Sequence, residues 1–253
     1  MNYRFTIQYD GTEFHGWQAQ GGSDERTVQG ELERALSLLE GRRVIVYGAG
    51  RTDAGVHAEA QVANAHLTRE WTNEKLRGAM NGNLPRDVRV MEAQTVDDNF
   101  HARFSAVGKT YCYRIFNAPY TSPFWLRFAH GEPRPLDLEA MQRAAALFIG
   151  EHDWTAFSSA QTDVLTRMRR VTKLEVMERF SERGRGRMIE ITASADGFLR
   201  YMVRSIAGTL LGVGRGETDE ARITRAFATG DRKAVGATAP ACGLTLVKVH
   251  YHE

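Results

Sequence analysis

Cysteine is almost missing: Cys112 and Cys242 are the only two in 253 residues, far apart in the chain. That excludes a disulfide framework, a C-x-x-C redox pair and a thiolate zinc site, and it suits a reducing cytosol. No H-E-x-x-H occurs, and the scattered histidines show no i,i+4 ligand spacing on a helix, so no metal is expected. No run of ~20 apolar residues is present, which excludes a membrane-spanning helix. The opening residues, MNYRFTIQYDG, lack the apolar stretch of a secretory signal. A cytoplasmic location is expected. Lysine is scarce as well, at 5 of the 33 basic residues, the other 28 being arginine. Arginine offers a planar fork suited to phosphate, although a GC-rich genome would give the same bias.

What is present suffices for a core. Hydrophobic residues make up 42% and charged ones 25% of the chain, which argues against disorder. The length fits one large domain or two small ones. The net charge of +2 hides an asymmetry: residues 1–105 hold 12 basic and 15 acidic side chains, residues 106–253 hold 21 and 16. The second half is permissive for nucleic acid.

Tyr3, Phe5, Ile7 and Tyr9 alternate with polar residues, as in a half-buried strand, and Asp10-Gly11 signals a turn. Val28, Leu32, Ala35, Leu36 and Leu39 keep helical spacing between an N-cap at Thr27 and a closing Gly41. Val44 and Val46 mark a second strand, residues 58–67 a third and 87–96 a fourth. Between the last two, Thr72 caps a short helix that Asn81-Gly82-Asn83-Leu84-Pro85 breaks. The order β-α-β-β-α-β is the split arrangement of a ferredoxin-like fold. It recurs after residue 106. Lys109, Tyr111, Tyr113 and Ile115 alternate along a strand, and 117–136, with four prolines, forms an irregular connection. A helix over 138–148 follows, then a hairpin over 171–180 and 187–196 with Gly184 and Gly186 in its loop. A helix from Phe198 to Leu210, a small helix at 219–228 and a strand at 244–251 close the chain. The expected fold is α+β. Two ferredoxin-like halves, 1–105 and 106–253, join into an extended, mostly antiparallel sheet with helices on one face and a cleft between the halves.

Residues 48–57 are the densest candidate site. Glycines 48, 50 and 55 permit close approach of a substrate, and Arg51 and Asp53 stand between them. The stretch lacks the Lys-Ser/Thr of a P-loop and the spacing of a dinucleotide fingerprint. On spacing alone, an ordinary glycine-rich connection with a solvated salt bridge explains it better. Tyr111 and Tyr113 share a strand face beside Lys109, the pattern of a sheet that stacks RNA bases; core packing gives the same pattern. Cys112 points the other way, as a core residue. Arg200 and Arg204 lie one turn apart near an apolar helix, either snorkelling to solvent or paired with an anion. Phe14 and Trp17 read as aromatics that anchor the first turn.

Taken in order, these segments resemble the bacterial tRNA pseudouridine synthase A (TruA) family. The matching pieces are Tyr9-Asp10-Gly11-Thr12, Gly16-Trp17-Gln18, Gly50-Arg51-Thr52-Asp53-Ala54-Gly55-Val56-His57-Ala58 and Asn83-Leu84-Pro85. Phe100-His101-Ala102-Arg103-Phe104-Ser105, Lys109-x-Tyr111-x-Tyr113, His152-Asp153-Trp154, Gly197-Phe198-Leu199, Met202-Val203-Arg204, Ala239-Pro240 and Gly243-Leu244 complete them. Trp154 stands where the family usually has Phe. The resemblance implies isomerisation of uridine to pseudouridine at positions 38, 39 and 40 of the tRNA anticodon stem-loop, by a homodimer, without metal or organic cofactor. By motif match, Asp53 is the catalytic carboxylate, Arg204 the basic residue facing it, Tyr111 the ring against the target base, and Arg51 an aid to base extrusion. Lys109, Arg103 and His57 join the substrate-binding set.

The chemistry suits these residue types. A carboxylate can act as nucleophile on sugar or base, or as a base promoting elimination. An arginine beside it opposes the rise in pKa that desolvation causes. An aromatic ring recovers part of the cost of unstacking a base. Arg167, Arg169, Arg170, Arg183, Arg185 and Arg187 could follow the phosphate backbone. Three alternatives compete: a non-catalytic RNA-binding module, an enzyme acting on a free nucleotide with residues 48–55 as phosphate cradle, and pseudouridylation of another RNA.

Overall fold

The computed structural model describes residues 1–18, 25–160, 164–179 and 186–252. The elements in chain order begin with β1 (Asn2–Tyr9), α1 (Val28–Glu40), β2 (Tyr47–Gly48), β3 (His57–His66), α2 (Asn73–Asn83) and β4 (Val88–Val96). Then come β5 (Ala106–Asn117), β6 (His130–Glu132), α3 (Leu138–Ala145), β7 (Gly150–Asp153), β8 (Met168–Arg179) and β9 (Arg187–Ala195). The last are α4 (Met202–Gly214), α5 (Glu220–Thr229) and β10 (Leu244–Tyr251). They fall into two compact units, residues 1–107 with 246–253, and residues 108–245. The expected division at residue 105 puts the whole of β10 with the second half. No helix among the described residues is long and apolar enough to cross a membrane.

In the first unit the strands lie in the order β4-β1-β3-β10, with β2 also on β3. The pairs β1–β3, β1–β4 and β2–β3 are antiparallel. Alternation in β1 does what the pattern promised: Tyr3, Phe5 and Ile7 are fully buried, as are Leu32 and Leu36 of α1 and Leu76 and Met80 of α2. Thr27 caps α1 by accepting the Gly30 N–H, and Gly41 closes it at φ +67°.

Two elements of this unit differ from expectation. Val44 and Val46 are buried but outside any strand, because their N–H groups go to side chains of α1: Val44 N to Ser37 Oγ (3.0 Å) and Val46 N to Glu33 Oε1 (3.1 Å). Of this segment, Tyr47–Gly48 form the strand that pairs with β3. α2 runs through Asn81 and Gly82, since the Asn81 amide bonds across to Val90 N and O, both at 2.8 Å, and does not compete with its own helix. Leu84, extended ahead of Pro85, ends it.

The second unit has the order β5-β9-β8-β7, with β6 parallel to β5 and the other pairs antiparallel. The β-α-β-β-α succession recurs in β5, α3, β8, β9 and α4. β6 and β7, of three and four residues, are too short to show periodicity. The expected hairpin is β8–β9; Gly184, Arg183 and Arg185 lie outside the described residues. α4 starts at Met202 and not at Phe198, because Tyr201 takes a left-handed conformation at φ 66°. Phe148, Trp154, Phe157 and Phe227 pack ring against ring, with centroids 4.7–6.2 Å apart, so Trp154 fills a core position.

Candidate functional site

The Asp53 loop is held by the turn that follows β1. Trp17 N donates to Thr52 O (3.0 Å), Gly55 N to Phe14 O (3.3 Å), and Val56 N to Asp53 O (3.2 Å). Gln61 Nε2 donates to Gly50 O (3.0 Å). Two glycines make this approach possible. A Cβ on Gly11 would lie 2.0 Å from Val56 O, and one on Gly16, at φ +89°, 2.6 Å from Thr52 O. Trp17, 2% exposed, lies so close to Gly48 that a Cβ there would meet its ring at 2.4 Å. Phe14 and Trp17 therefore brace the loop as well as the turn.

Side chains complete the brace. Tyr9 Oη and Thr52 Oγ1 are 2.8 Å apart. Burial pushes the Tyr9 phenol up to about 12, against the opposing hydrogen bonds with Thr52 and Gln61, so it stays neutral. His57 is 2% exposed. Its Nδ1 accepts the Gly11 N–H at 3.0 Å and lies 3.3 Å from Asp10 Oδ1. Asp10 Oδ1 in turn accepts from Thr12 N and Thr12 Oγ1, an Asx-type turn. In this fold His57 fixes the turn from beneath. Thr52 is buried, Asp53 half-buried and Arg51 exposed. A backbone hydrogen-bonded to the preceding turn thus carries a half-buried aspartate.

Arg103 is exposed on a separate loop, residues 97–105, of the same unit. In the second unit, Tyr111 is 6% exposed and meets the edge of Phe198 at 5.2 Å. Half-buried Lys109 precedes it on β5, opposite Ala195. Tyr113 is a core residue: fully buried, it donates to Pro240 O (3.0 Å), and burial raises its pKa. On α4, Arg204 Nε donates to Ala239 O (2.8 Å), and its guanidinium lies 5.2 Å from the Tyr201 ring. Arg200 lies before the helix, 4.9 Å from the same ring, with Nη2 donating to Tyr201 Oη at 3.1 Å.

The first unit therefore gathers Arg51, Asp53 and His57 on one braced segment. The second carries Tyr111 and Lys109 on a strand and Arg204 on a helix. The sequence reading missed Tyr9, Gly16 and Tyr201. Tyr9 and Gly16 both stand in quoted motifs, but nothing local shows that they touch residue 52. Tyr201 is the single non-glycine residue with positive φ among those described, which no sequence signal announces. No cluster of three or more metal-ligating side chains occurs among the described residues.

Comparisons with known proteins identify the family. The sequence model of a family described as tRNA pseudouridine synthase matches residues 6–105 and 144–252. A tRNA pseudouridine synthase A from Solidesulfovibrio magneticus is 43% identical over 251 residues, covering 98% of this chain and 90% of its own. Proteins of the same name from Acetivibrio thermocellus and from Bacillus sp. strain KSM-64 are 41% and 39% identical, each over 99% of both chains. Relatives this similar, matched almost end to end and over the braced Asp53 loop itself, place the chain in the tRNA pseudouridine synthase A family of isomerases.

Proposed function

We propose that this protein isomerises uridine to pseudouridine at positions 38, 39 and 40 of the tRNA anticodon stem-loop, with Asp53 as the nucleophile. The observation that carries the reading is the Asp53 loop: a half-buried aspartate on a backbone held by hydrogen bonds to the turn after β1 and to Gln61 of β3. Preorganisation of this kind is what a covalent catalyst requires.

The reaction breaks the N1–C1′ bond, turns the uracil and joins C5 to C1′; a proton leaves C5 and one is gained at N1. Asp53 supplies the attacking carboxylate. Arg204 is the second catalytic residue, its guanidinium aligned by Ala239 and the Tyr201 ring. Tyr111 lies against the uracil. Its ring recovers ~1–3 kcal/mol of stacking against the few kcal/mol needed to extrude a base. Arg51 assists that extrusion, and Lys109 and Arg103 bind the RNA. His57 serves binding indirectly, by keeping the loop in place. No metal or organic cofactor enters. The protein works in the cytoplasm as a homodimer, and its exposed Tyr120, Phe124 and Leu126 offer apolar surface for such a contact.

The test is site-mapped pseudouridine formation on an unmodified tRNA transcript, with wild type and Asp53→Asn in parallel. Product at 38–40 from wild type alone, with equal tRNA affinity in both proteins, is expected. Tight tRNA binding without product from either protein would overturn the reading in favour of a non-catalytic binding module.

A further inference from the structure

Phe104 is 77% exposed, yet the loop that presents it is among the most elaborately fastened in the first unit. Asn2 and Asn64, 0% and 1% exposed, lie beneath it. Asn2 Nδ2 donates to Asp97 O (3.0 Å) and Phe100 O (2.8 Å). Asn64 Nδ2 donates to Asn2 Oδ1 (3.0 Å), while its Oδ1 accepts from Ala102 N (2.9 Å). Tyr251 Oη donates to Ala102 O at 2.7 Å. A buried amide pair costs stability unless all its hydrogen bonds are met. Here they are met by the backbone of residues 97–102, so what the pair specifies is the shape of this loop.

That shape sets three rings in succession. His101 Nδ1 accepts from the backbone N–H of Arg103 (3.1 Å) and Phe104 (3.4 Å), which fixes the imidazole and leaves the proton of the neutral ring on Nε2. Phe104 packs on His101 with centroids 4.4 Å apart, and Tyr47, 41% exposed, meets His101 at 5.1 Å. The Arg103 guanidinium lies 5.7 Å from the Phe104 ring. A preoriented, solvent-facing aromatic file with a cation at its end is the chemistry that binds an unstacked nucleobase and its phosphate.

We infer that Tyr47, His101, Phe104 and Arg103 form a stacking platform for one unpaired base of the tRNA, with Phe104 as the contact surface and Arg103 on the adjoining phosphate. The inference rests on tRNA as the substrate. The occupant is RNA and not a second copy of the chain, because an arginine beside the ring suits a phosphate and the ring is set by a fixed backbone.

The experiment titrates an unmodified tRNA transcript against wild type, Phe104→Ala, Phe104→Leu, Phe104→Tyr and Arg103→Ala at several salt concentrations, with sedimentation velocity on each protein. Phe104→Ala and Phe104→Leu are expected to raise Kd roughly five- to a hundred-fold, and Phe104→Tyr to stay within about two-fold of wild type. The salt slope stays unchanged in all three. Arg103→Ala is expected to reduce that slope by about one phosphate contact. Wild-type affinity in Phe104→Leu, or an altered oligomeric state in any Phe104 variant, overturns the platform. Failure of the wild-type protein to bind tRNA overturns the substrate reading, and the platform with it.

Discussion

A methyl group at position 16 meets two obstacles together. The backbone takes φ +89°, and the new Cβ would stand 2.6 Å from the Thr52 carbonyl oxygen, next to the Trp17 N–H that this oxygen accepts. A left-handed conformation costs a non-glycine residue about 1–3 kcal/mol, and the close approach adds to it. Gly16→Ala is therefore expected to lower stability in urea by at least about 1 kcal/mol. It should depress pseudouridine formation far more than tRNA affinity, since it displaces the loop that carries Asp53 and Arg51 and leaves Arg103 and the arginines of the second unit alone. Unchanged stability and turnover would show that the turn after β1 does not set the loop. Tyr201 bears the opposite strain, a bulky residue held at φ 66°. The structure retains it where its ring lies against both Arg200 and Arg204.

At the scale of elements, α1 ends on a carboxylate, which its own dipole disfavours. Glu40 is 7% exposed. Its Oε2 accepts from Thr68 N (2.7 Å) and Thr68 Oγ1 (2.6 Å), and its Oε1 from Trp71 Nε1 (3.3 Å). Burial alone would raise its pKa, but these hydrogen bonds more than offset that and the net shift is downward. The linkage sign follows: the depressed folded value gives stability that is complete above the ordinary glutamate range and is lost as pH falls through the lower, folded value. Urea midpoints should drop more steeply for wild type than for Glu40→Gln as acid is added below that range. At neutral pH the variant should be less stable by roughly 1.5–3 kcal/mol. Parallel acid profiles would remove Glu40 as the link between α1 and the segment leading to α2. The same tie explains part of what the sequence could and could not disclose. Strands β1 and β5 were legible because burial on one face imposes a period of two. Val44 and Val46 imitated a strand because they are buried, while their N–H groups belong to α1 side chains. The residues of the Asp53 loop were legible through their glycines and their family motif. The brace from Tyr9, Gly16 and Trp17 was not, since it joins positions some forty residues apart.

Across the whole molecule, the charge asymmetry is the same for the two compact units as for residues 1–105 and 106–253, because Lys248 and Glu253 cancel. Much of the arginine in the second unit is nevertheless spent internally. Arg134 and Arg215 both hold the buried Glu132, and hydrogen bonds from the two, together with their charge, keep its carboxyl below the usual range despite burial. Arg114 and Arg179 share Glu190, and Arg187 binds Glu178, Asn117 and the Leu136 carbonyl. Of the arginines expected to follow RNA, Arg170 pairs with Glu151 at 3.2 Å. Arg167 and Arg169 donate to the Ala160 and Thr166 carbonyls and form no salt bridge among the described residues. Arg169 has guanidinium charge to offer a phosphate without first giving up a carboxylate, while the charge of Arg167 also helps to lower the pKa of Asp153. Each phosphate contact contributes close to one unit to the slope of log K against log salt. Arg167→Ala and Arg169→Ala should each weaken tRNA binding at low salt and flatten that slope by about one, with melting temperature unchanged. Arg187→Ala should instead lower the melting temperature and leave the slope alone. The reverse pattern, with Arg187 controlling the salt slope and Arg167 and Arg169 silent, would move the RNA track to the other end of the β8–β9 hairpin.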